Sequence, residues 1–330
     1  MNQAPFSRDV LKLDPQKEVQ HIADAIRTIL SKKLKRRGLV VALSGGIDSS
    51  VSVGLAVQAL GPQRVFALLM PERHSSDDTL ALSTQVADAF KVDRAHENIS
   101  GILEAVGFYQ RYDAAVRQVI AAYGAGWKSK LVISNAIESK GFNVFSIVAQ
   151  SPEGHTLRER LPLKAYLEIV AATNFKQRTR KMLEYYHADR LNYAVAGTPN
   201  RLEYDQGFFV KLGDGAADIK PIAHLYKSQV YQLAAYLGVP EQVRRRPPTT
   251  DTYSLPQGQD EFYFSLSYER MDLCLYAKNH GYAPAEIAPL VELTPEQAQR
   301  VYDDIDTKRA TTRYLHLNAQ LIEEIPEIKY

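Results

Sequence analysis

The chain has 330 residues, 45% of them hydrophobic and 24% charged, and its 40 basic and 38 acidic side chains give a formal net charge of +2. At roughly 150 residues per domain, this length corresponds to one large or two modest domains that can bury a full core. The near-neutral balance argues against a protein that binds polyanions through overall charge, and the single cysteine, Cys274, excludes an internal disulfide framework.

The sequence also bears on the cellular compartment. No apolar run approaches the ~18–20 residues that a membrane span needs. The first ten residues, MNQAPFSRDV, lack the basic-then-apolar layout of a secretory signal. A single cysteine agrees with a reducing compartment. We therefore expect a soluble, cytoplasmic protein that does not contact membranes.

The first ninety residues alternate helical periodicity with short apolar runs. Three segments predict helices, over residues 15–31, 49–60 and 78–90. Two continuous apolar runs bounded by turn residues predict buried strands, over residues 39–43 and 65–69. Because strands and helices alternate in short units, we expect right-handed crossovers and a doubly wound parallel sheet, an α/β fold.

The remaining segments are predicted to complete this sheet and to add helices. Residues 102–123 predict a helix and residues 191–196 a strand. Residues 225–239 predict another helix, and Thr294-Pro295-Glu296 opens a C-terminal helix as cap, first residue and first-turn acid. Since no long Gly/Ser/Pro linker divides the chain, we expect residues 1–330 to form one domain with a helical C-terminal extension.

Two segments have a less regular pattern. Residues 127–163 mix short apolar runs with Gly, Ser and Pro, and they predict either an insertion with a strand around Val144–Val148 or a mobile flap on the substrate side. Residues 244–259 have the composition of a loop, so Arg244–Arg246 are interpreted as solvated. The basic run Lys32–Arg37 is interpreted as a solvated helix end.

The segment SGGIDSS, residues 44–50, stands between a predicted buried strand and a predicted helix. A helix N-terminus there presents unpaired N–H groups, and two glycines let the backbone approach an anion closely. The three serine hydroxyls can donate to phosphate oxygens, whereas Asp48 needs a cation such as Mg²⁺ between itself and a phosphate. The segment therefore predicts a phosphate-binding loop that is not a Walker A loop, because the lysine is absent.

SGGIDSS resembles the pyrophosphate-binding loop of the N-type ATP pyrophosphatases. The resemblance implies an adenine nucleotide α-hydrolase-like sheet and cleavage of ATP between its α and β phosphates. The loop alone leaves several members of that superfamily open, among them GMP, asparagine, argininosuccinate and NAD synthetases and the tRNA-thiolating enzymes.

The second half of the chain narrows this choice. Residues 197–231, GTPNRLEYDQGFFVKLGDGAADIKPIAHLYKSQVY, resemble the core of the ammonia-dependent NAD synthetases. Residues 174–180 (NFKQRTR) resemble the N-x-KARTR stretch of that family, residues 248–251 (PTTD) its P-[TS]-A-D/E-L loop, and residues 307–309 (TKR) its HKR. These matches follow the family's order from about residue 15 to about 310.

The resemblance assigns roles to individual residues. It implies that Mg²⁺ is held by Asp48 and Glu203. It implies that ATP and its pyrophosphate are bound by Ser44, Gly45, Gly46, Asp48, Ser49, Ser50, Thr198, Lys227 and Thr249. It implies that the dinucleotide substrate is bound by Arg178, Lys211, Asp218 and Lys308. The catalytic groups implied are Asp48, Lys227, Asp218 and Lys308, and Asp218 or Asp214 is a candidate for binding or deprotonating ammonium.

The implied reaction is the ATP-dependent amidation of the nicotinate carboxylate of deamido-NAD with ammonia. An acyl adenylate forms first, and NAD, AMP and pyrophosphate are the products. Adenylating a carboxylate brings two anions together, so a site with Mg²⁺ and lysines suits it. The resemblance also implies a homodimer, and ammonia that arrives free or from a separate glutaminase subunit.

Departures from the family pattern keep alternatives open. Residues 127–163 are longer than the usual substrate-side segment, Pro199-Asn200 replaces Asp-His, and Thr307 replaces a histidine. The first alternative is the same chemistry on another carboxylate, such as nicotinate mononucleotide. A second is a tRNA-modifying pyrophosphatase, although the charge makes nucleic acid an unexpected partner. A third is a non-catalytic nucleotide-binding module.

Overall fold

A four-stranded parallel sheet lies at the centre of the computed structural model, which describes residues 6–133, 145–248, 252–258, 263–264 and 266–328. Its strands are β1 (Leu39–Ala42), β2 (Val65–Leu69), β3 (Asp93–His96) and β7 (Ala194–Ala196). The spatial order is β3-β2-β1-β7, and Val41 of β1 lies beside Ala67 and Ala196 of its two neighbours. Apolar residues fill β1 because the strand is covered on both faces.

Four helices cover one face of this sheet: α1 (Pro15–Thr28), α2 (Ile47–Leu60), α3 (Asp77–Phe90) and α8 (Lys227–Leu237). The side chain of Asp14 caps α1 by accepting from the backbone N–H groups of Gln16 and Lys17. Helix α2 begins directly after β1, so its N-terminus points to the carboxyl edge of the sheet.

The opposite face is covered by α4 (Ser100–Ala105), α5 (Phe108–Arg117) and the 29-residue α6 (Leu163–Leu191). Val40 and Leu68 point to this side and pack in one apolar cluster with Phe108 and Ile169. The predicted doubly wound fold is therefore confirmed.

Residues 127–163 form more structure than a single strand. Three antiparallel strands, β4 (Lys128–Ile133), β5 (Phe145–Gln150) and β6 (Thr156–Arg160), make a second sheet that packs in the same cluster as α6. Val144, at which the predicted strand starts, lies outside the described residues. Segment 252–258 runs along β4, where the N–H of Leu255 donates to the carbonyl of Ser129 at 3.1 Å.

The C-terminal part is helical, as expected. It contains α9 (Glu241–Arg245), α10 (Tyr268–Asn279), α11 (Pro284–Ile287) and α12 (Pro295–Thr312), and α7 (Arg201–Gln206) packs against it. Thr294 caps α12 as predicted, accepting from the N–H of Gln297. Within the described residues, no helix is long and apolar enough to cross a membrane.

Two predicted elements need correction, and one strand was not predicted. The helix predicted over residues 102–123 is two helices, because Gly107 adopts a left-handed conformation at φ +71° between α4 and α5. The strand predicted over residues 191–196 begins only at Ala194, since α6 continues to Leu191 and ends at a left-handed Asn192. Strand β3 was not predicted, because its sequence DRAH is mostly polar and exposed at the sheet edge.

Candidate active site

The phosphate-loop candidate lies where β1 ends and α2 begins. Gly45 has φ +70°, and a Cβ atom there would lie 3.0 Å from the carbonyl oxygen of Thr79, so glycine suits both the turn and the close approach of α3. Gly46 occupies the N-cap position of α2. The hydroxyl groups of Ser44 and Ser49 lie 3.2 Å apart across the turn. This geometry leaves backbone N–H groups at a helix start, which is where anions bind.

A cavity of about 460 Å³ opens beside this loop at the carboxyl edge of the sheet. Its size falls within the range of roughly 300–1,000 Å³ typical of small-molecule sites. The structure brings seven of the predicted site residues together on its wall: Ser44, Gly46, Asp48, Ser49, Thr198, Glu203 and Lys227. Ile133 and Phe145 of the antiparallel sheet line it as well.

Asp48, Glu203 and Lys227 form the charged centre of this cavity. The Nζ atom of buried Lys227 makes an ion pair with Oδ2 of Asp48. Burial and the neighbouring Asp48 carboxylate raise the pKa of Glu203 to about 8. Burial alone would lower the pKa of Lys227, but Asp48 and Glu203 outweigh it and raise that pKa. Two carboxyl groups therefore share one lysine, and Glu203 keeps its proton near neutral pH unless a further cation displaces it.

Backbone and helix ends hold these groups in place. Asn200 caps α7, and its Nδ2 donates to Oδ1 of Asp48 at 3.2 Å while its backbone N–H donates to Oε2 of Glu203 at 3.0 Å. Lys227 starts α8, and its backbone N–H donates to Oδ1 of buried Asp272 at 3.2 Å. Burial raises the pKa of Asp272 to about 6. The lysine and both carboxylates are thus positioned by capping contacts rather than by loops alone.

The donor set fits Mg²⁺. This ion takes oxygen ligands, keeps several waters, and in phosphate-transfer sites uses one or two carboxylates together with substrate phosphates. Asp48 and Glu203 supply such a pair next to the glycine loop. Within the described residues no group of three or more His, Cys, Asp or Glu side chains could hold a metal ion.

Comparison with known proteins identifies the family. The model of the family described as NAD synthase matches residues 18–123 and 127–312. The chain is similar to the NH(3)-dependent NAD(+) synthetase of Rhizobium meliloti, with 58% identity over 328 residues, 99% of this chain and 98% of the relative. The chain belongs to the NAD synthase family. The predicted family and enzyme class, an amide-forming ligase, are thereby confirmed.

More distant sequence relatives of this NAD synthase-family chain belong to the same family, and solved structures share its fold. The NH(3)-dependent NAD(+) synthetase of Thermotoga maritima is 38% identical over 240 residues, covering 72% of this chain and 79% of the relative. Among solved structures, an NMN synthetase from Francisella tularensis aligns with a TM-score of 0.65 at 21% identity, covering 94% of this chain and 99% of that one. An NH3-dependent NAD synthetase from Campylobacter jejuni aligns with a TM-score of 0.61 at 22% identity, covering 94% of this chain and 100% of that one. At these identities the structural likeness shows the fold alone.

The other two residues predicted for the phosphate loop lie beside the cavity. The Gly45 Cα faces α3, and the Ser50 hydroxyl donates to the carbonyl of Gly46 at 2.7 Å within the first turn of α2. Thr249, predicted to bind ATP, lies outside the described residues. The roles of all these residues remain predictions.

The four predicted substrate residues do not line the cavity. Arg178 is exposed and donates to the backbone carbonyl of Lys211 at 3.4 Å. Lys211 in turn donates to the carbonyls of Tyr314 and Leu317 at 2.7 and 2.8 Å. Oδ2 of Asp218 accepts from the N–H of Val195 at 2.7 Å. Within one copy of the chain, Arg178 and Lys211 thus lie together on an outer surface.

Lys308 is buried just behind the cavity. Its Nζ lies 2.6 Å from Oδ2 of Asp304, donates to the carbonyl of Tyr263 at 2.6 Å and lies 4.5 Å from the Tyr263 ring centre. Burial lowers the pKa of Lys308 despite Asp304. Tyr263 itself lines the cavity, so Lys308 reaches the site through that residue.

Sequence reasoning missed two buried ion pairs near the site. Lys176 pairs with Glu72 at 2.8 Å, with both side chains at most 1% exposed. Lys181 pairs with Glu184 at 2.6 Å, and this pair lines the cavity. Lys176 lies in the NFKQRTR stretch, so the resemblance carried a signal for it. For Lys181 and Glu184 the only signal is their spacing of three residues, which places them on one helix face.

Proposed function

We propose that this chain is an ammonia-dependent NAD synthetase that converts deamido-NAD, ATP and ammonia to NAD, AMP and pyrophosphate. One observation carries the proposal: the glycine loop after β1 shares a single cavity with Asp48, Glu203 and Lys227. The relatives named NH(3)-dependent NAD(+) synthetase, similar over 99% of this chain, support the same reaction.

The first step is adenylation of the nicotinate carboxylate. A carboxylate oxygen attacks the α-phosphorus of ATP, the bond to the bridging oxygen breaks, and pyrophosphate leaves with that electron pair. Ser44, Gly46 and Ser49 hold the pyrophosphate at the start of α2, and Lys227 neutralises charge that develops in the transition state. Asp48 and Glu203 would hold Mg²⁺, which supplies further neutralisation of the phosphates.

The second step forms the amide. Ammonia attacks the acyl carbonyl, AMP leaves with the electron pair of the acyl–oxygen bond, and one proton is released. Both carboxylates considered for ammonium accept from a backbone N–H at 2.7 Å, Asp214 from Val210 and Asp218 from Val195. Of the two, only Asp214 lines the cavity. This placement supports Asp214 as the group that binds ammonium. The antiparallel sheet, through Ile133 and Phe145, is the substrate side of the cavity.

Product analysis tests the reaction. The protein is incubated with ATP, Mg²⁺, ammonium and deamido-NAD, and products are followed by mass spectrometry. NAD, AMP and pyrophosphate are expected, and Lys227→Met is the inactive control. ADP and phosphate would refute a pyrophosphatase mechanism. Turnover with nicotinate mononucleotide but not with deamido-NAD would replace the substrate. Equal rates with glutamine in place of ammonium would refute dependence on free ammonia.

The active form is proposed to be a homodimer that packs through α6. Four exposed apolar side chains lie along this helix, and at about 100° per residue their directions spread over an arc of about 140°: Leu163, Leu167, Met182 and Tyr186. Arg178 emerges from the same helix, so a second copy at this face would enclose exposed Arg178 and half-buried Lys211. That arrangement would give these two predicted substrate residues a buried setting.

Hydrodynamic measurements test the dimer. Light scattering coupled to size exclusion is expected to give twice the chain mass for the natural protein. A variant carrying Leu167→Glu and Met182→Glu is expected to be monomeric. Tyr236→Glu, an equally exposed aromatic on α8, is the control. A dimer that survives the double substitution would place the interface elsewhere.

A further inference from the structure

Arg246 lies on the wall of the cavity, beside the phosphate loop. Its Nη2 donates to Oγ of Ser76 at 2.8 Å and approaches Oγ1 of Thr79 at 3.5 Å. Thr79 is the residue whose carbonyl oxygen closely approaches Gly45. Through these contacts the guanidinium reaches the loop from the side of α3, whereas Asp48 and Lys227 occupy the side of α7 and α8.

The backbone around Arg246 directs this side chain into the cavity. Val243, three residues earlier, is buried in the cluster beneath the sheet and anchors α9. Arg246 ends α9 with φ −66° and ψ 126°, the extended conformation favoured before a proline. Pro247 and Pro248 follow and both line the cavity. Two fixed φ angles limit how far this segment can move.

The neighbouring arginines differ from Arg246 in their partners. Arg245 is highly exposed and pairs with Glu241 at 2.5 Å, and Nε of Arg244 donates to the carbonyl of Val239 at 3.0 Å. Among the described residues Arg246 contacts hydroxyl groups and has no carboxylate partner. A guanidinium has five N–H donors in a planar fork that matches phosphate oxygens, so most of its donors are available to an anion.

We propose that Arg246 binds the pyrophosphate half of ATP from the α3 side and holds pyrophosphate as it leaves. The inference deepens the proposed function and rests on it for the identity of the anion. The sequence expectation of a solvated arginine run then applies to Arg245 and not to Arg246. The phosphate loop and Lys227 contact the pyrophosphate on one side, and Arg246 contacts it on the opposite side.

Direct binding of pyrophosphate tests this role. Isothermal titration with pyrophosphate and, separately, with AMP is made in the presence of Mg²⁺ on the natural protein and on Arg246→Gln. Loss of charge-assisted hydrogen bonds is expected to weaken pyrophosphate binding about 10- to 100-fold. AMP affinity is expected to stay the same. Arg246→Lys is expected to recover part of the affinity, because it restores charge without the fork.

The matched control is Arg245→Gln, which removes the adjacent arginine from the same helix end. It is expected to leave pyrophosphate and AMP binding unchanged. Ser76→Ala releases the resting contact of Arg246 and provides a second test should Arg246→Gln fold poorly by circular dichroism. The Ser76 hydroxyl also lies 2.8 Å from Oγ1 of Thr79, so the melting temperature of this variant is measured as well. Because the substitution frees the guanidinium from its resting contact, the variant is expected to bind pyrophosphate at least as tightly as the natural protein.

Three results would overturn the assignment. Arg246→Gln could bind pyrophosphate as the natural protein does, or lose AMP affinity and keep pyrophosphate affinity, which would place Arg246 on the nucleoside. The natural protein could also fail to bind pyrophosphate. None of these measurements uses the acyl substrate. A protein that binds pyrophosphate through Arg246 but makes no NAD would contradict the proposed function and leave this assignment intact.

Discussion

Two of the buried lysine–carboxylate pairs near the cavity, Lys176–Glu72 and Lys227–Asp48, differ in how their charges are matched. In the first, Lys176 and Glu72 lie 2.8 Å apart, Lys176 also donates to the carbonyl of Thr252 at 2.8 Å, and the hydroxyl of Tyr109 donates to Glu72 at 3.2 Å. Burial alone would raise the pKa of Glu72, but Lys176 outweighs it and lowers that pKa. The opposite charges of Lys176 and Glu72 thus pair directly, and each side chain is also hydrogen-bonded to a further group.

Around Lys227, two carboxyl groups face a single lysine. Lys227 faces both Asp48 and Glu203, and burial together with Asp48 raises the pKa of Glu203. Here the residues that cap α7 and α8 hold like charges close together. We call Lys176 and Glu72 the closed pair; it joins α6, the loop after β2 and segment 252–258. We call Lys227 with Asp48 and Glu203 the open pair; it can accept a further cation, and the glycine loop can bind an anion beside it.

Substitution of Asp48 tests the open pair and is expected to give the largest effect. Asp48→Ala removes one proposed Mg²⁺ ligand and the partner of Lys227, so turnover is expected to fall at least about 10³-fold. Steady-state formation of NAD measures it. The melting temperature is expected to stay close to that of the natural protein, because Glu203 remains as a carboxylate partner for buried Lys227. Turnover like that of the natural protein would mean that the loop has another role.

Substitution of Lys176 tests the closed pair through stability. Lys176→Met leaves Glu72 buried without its partner, which typically costs about 3–5 kcal/mol. The urea midpoint of unfolding measures the change. Lys176→Met combined with Glu72→Gln is the control, and it is expected to recover most of the loss because it removes the Glu72 charge that Lys176→Met leaves without its partner. A variant that keeps its midpoint but loses activity would give this pair a catalytic role instead.

The parallel half of the fold could be predicted because local signals and tertiary structure agree there. Apolar runs such as residues 39–43 and 65–69 are short, continuous and bounded by turn residues, and both strands appear within one residue of these limits. The antiparallel sheet could not be predicted in the same way. Its outer strand β6 is TLRER, exposed throughout, and is held by pairing with β5 rather than by its own pattern.

The site was predictable where function requires a local motif. Residues 44–50 supply the loop, and Glu203 and Lys227 lie in segments whose order resembles one family. Residues that act through tertiary contacts gave weaker signals. Arg246 belongs to a run of three arginines, and its environment differs from that of Arg245 only because of where α9 ends in the fold. Asp272 caps α8 from 45 residues away in sequence, a contact that no local pattern encodes.

The pH dependence of stability tests the raised pKa of Glu203. The ordinary pKa of this carboxyl is 4.5 and the folded one is about 8, so between these values the folded state binds a proton that the unfolded state lacks. The free energy of unfolding is therefore expected to fall as pH rises through this window. Urea midpoints of the natural protein and of Glu203→Gln, measured from pH 5 to 9, isolate this contribution.

The urea midpoint of Glu203→Gln is expected to depend less on pH, so the difference between its midpoint and that of the natural protein grows in favour of the variant as pH rises. Adding Mg²⁺ is expected to stabilise the natural protein more at the upper end of the window, where the carboxylate is ionised, and to leave Glu203→Gln little changed. Parallel profiles for the two proteins would show that Glu203 is ionised throughout. The open pair would then hold its excess charge without a bound cation.

Gly45→Ala tests how closely the loop of the open pair is fitted, and its effect is expected to be the smallest. An alanine at φ +70° costs about 1–2 kcal/mol of stability, and its Cβ would press on Thr79 and shift the loop.

Gly154→Ala is the matched control, because its φ is +91° but no atom lies within 4 Å of the added Cβ. Both variants are expected to lose stability, measured by urea unfolding, and Gly45→Ala at least as much as Gly154→Ala because of its added contact. Only Gly45→Ala is expected to lose pyrophosphate affinity as well, since only there does the strain lie against the anion. If both variants bind pyrophosphate like the natural protein, the approach of α3 to Gly45 does not shape the loop.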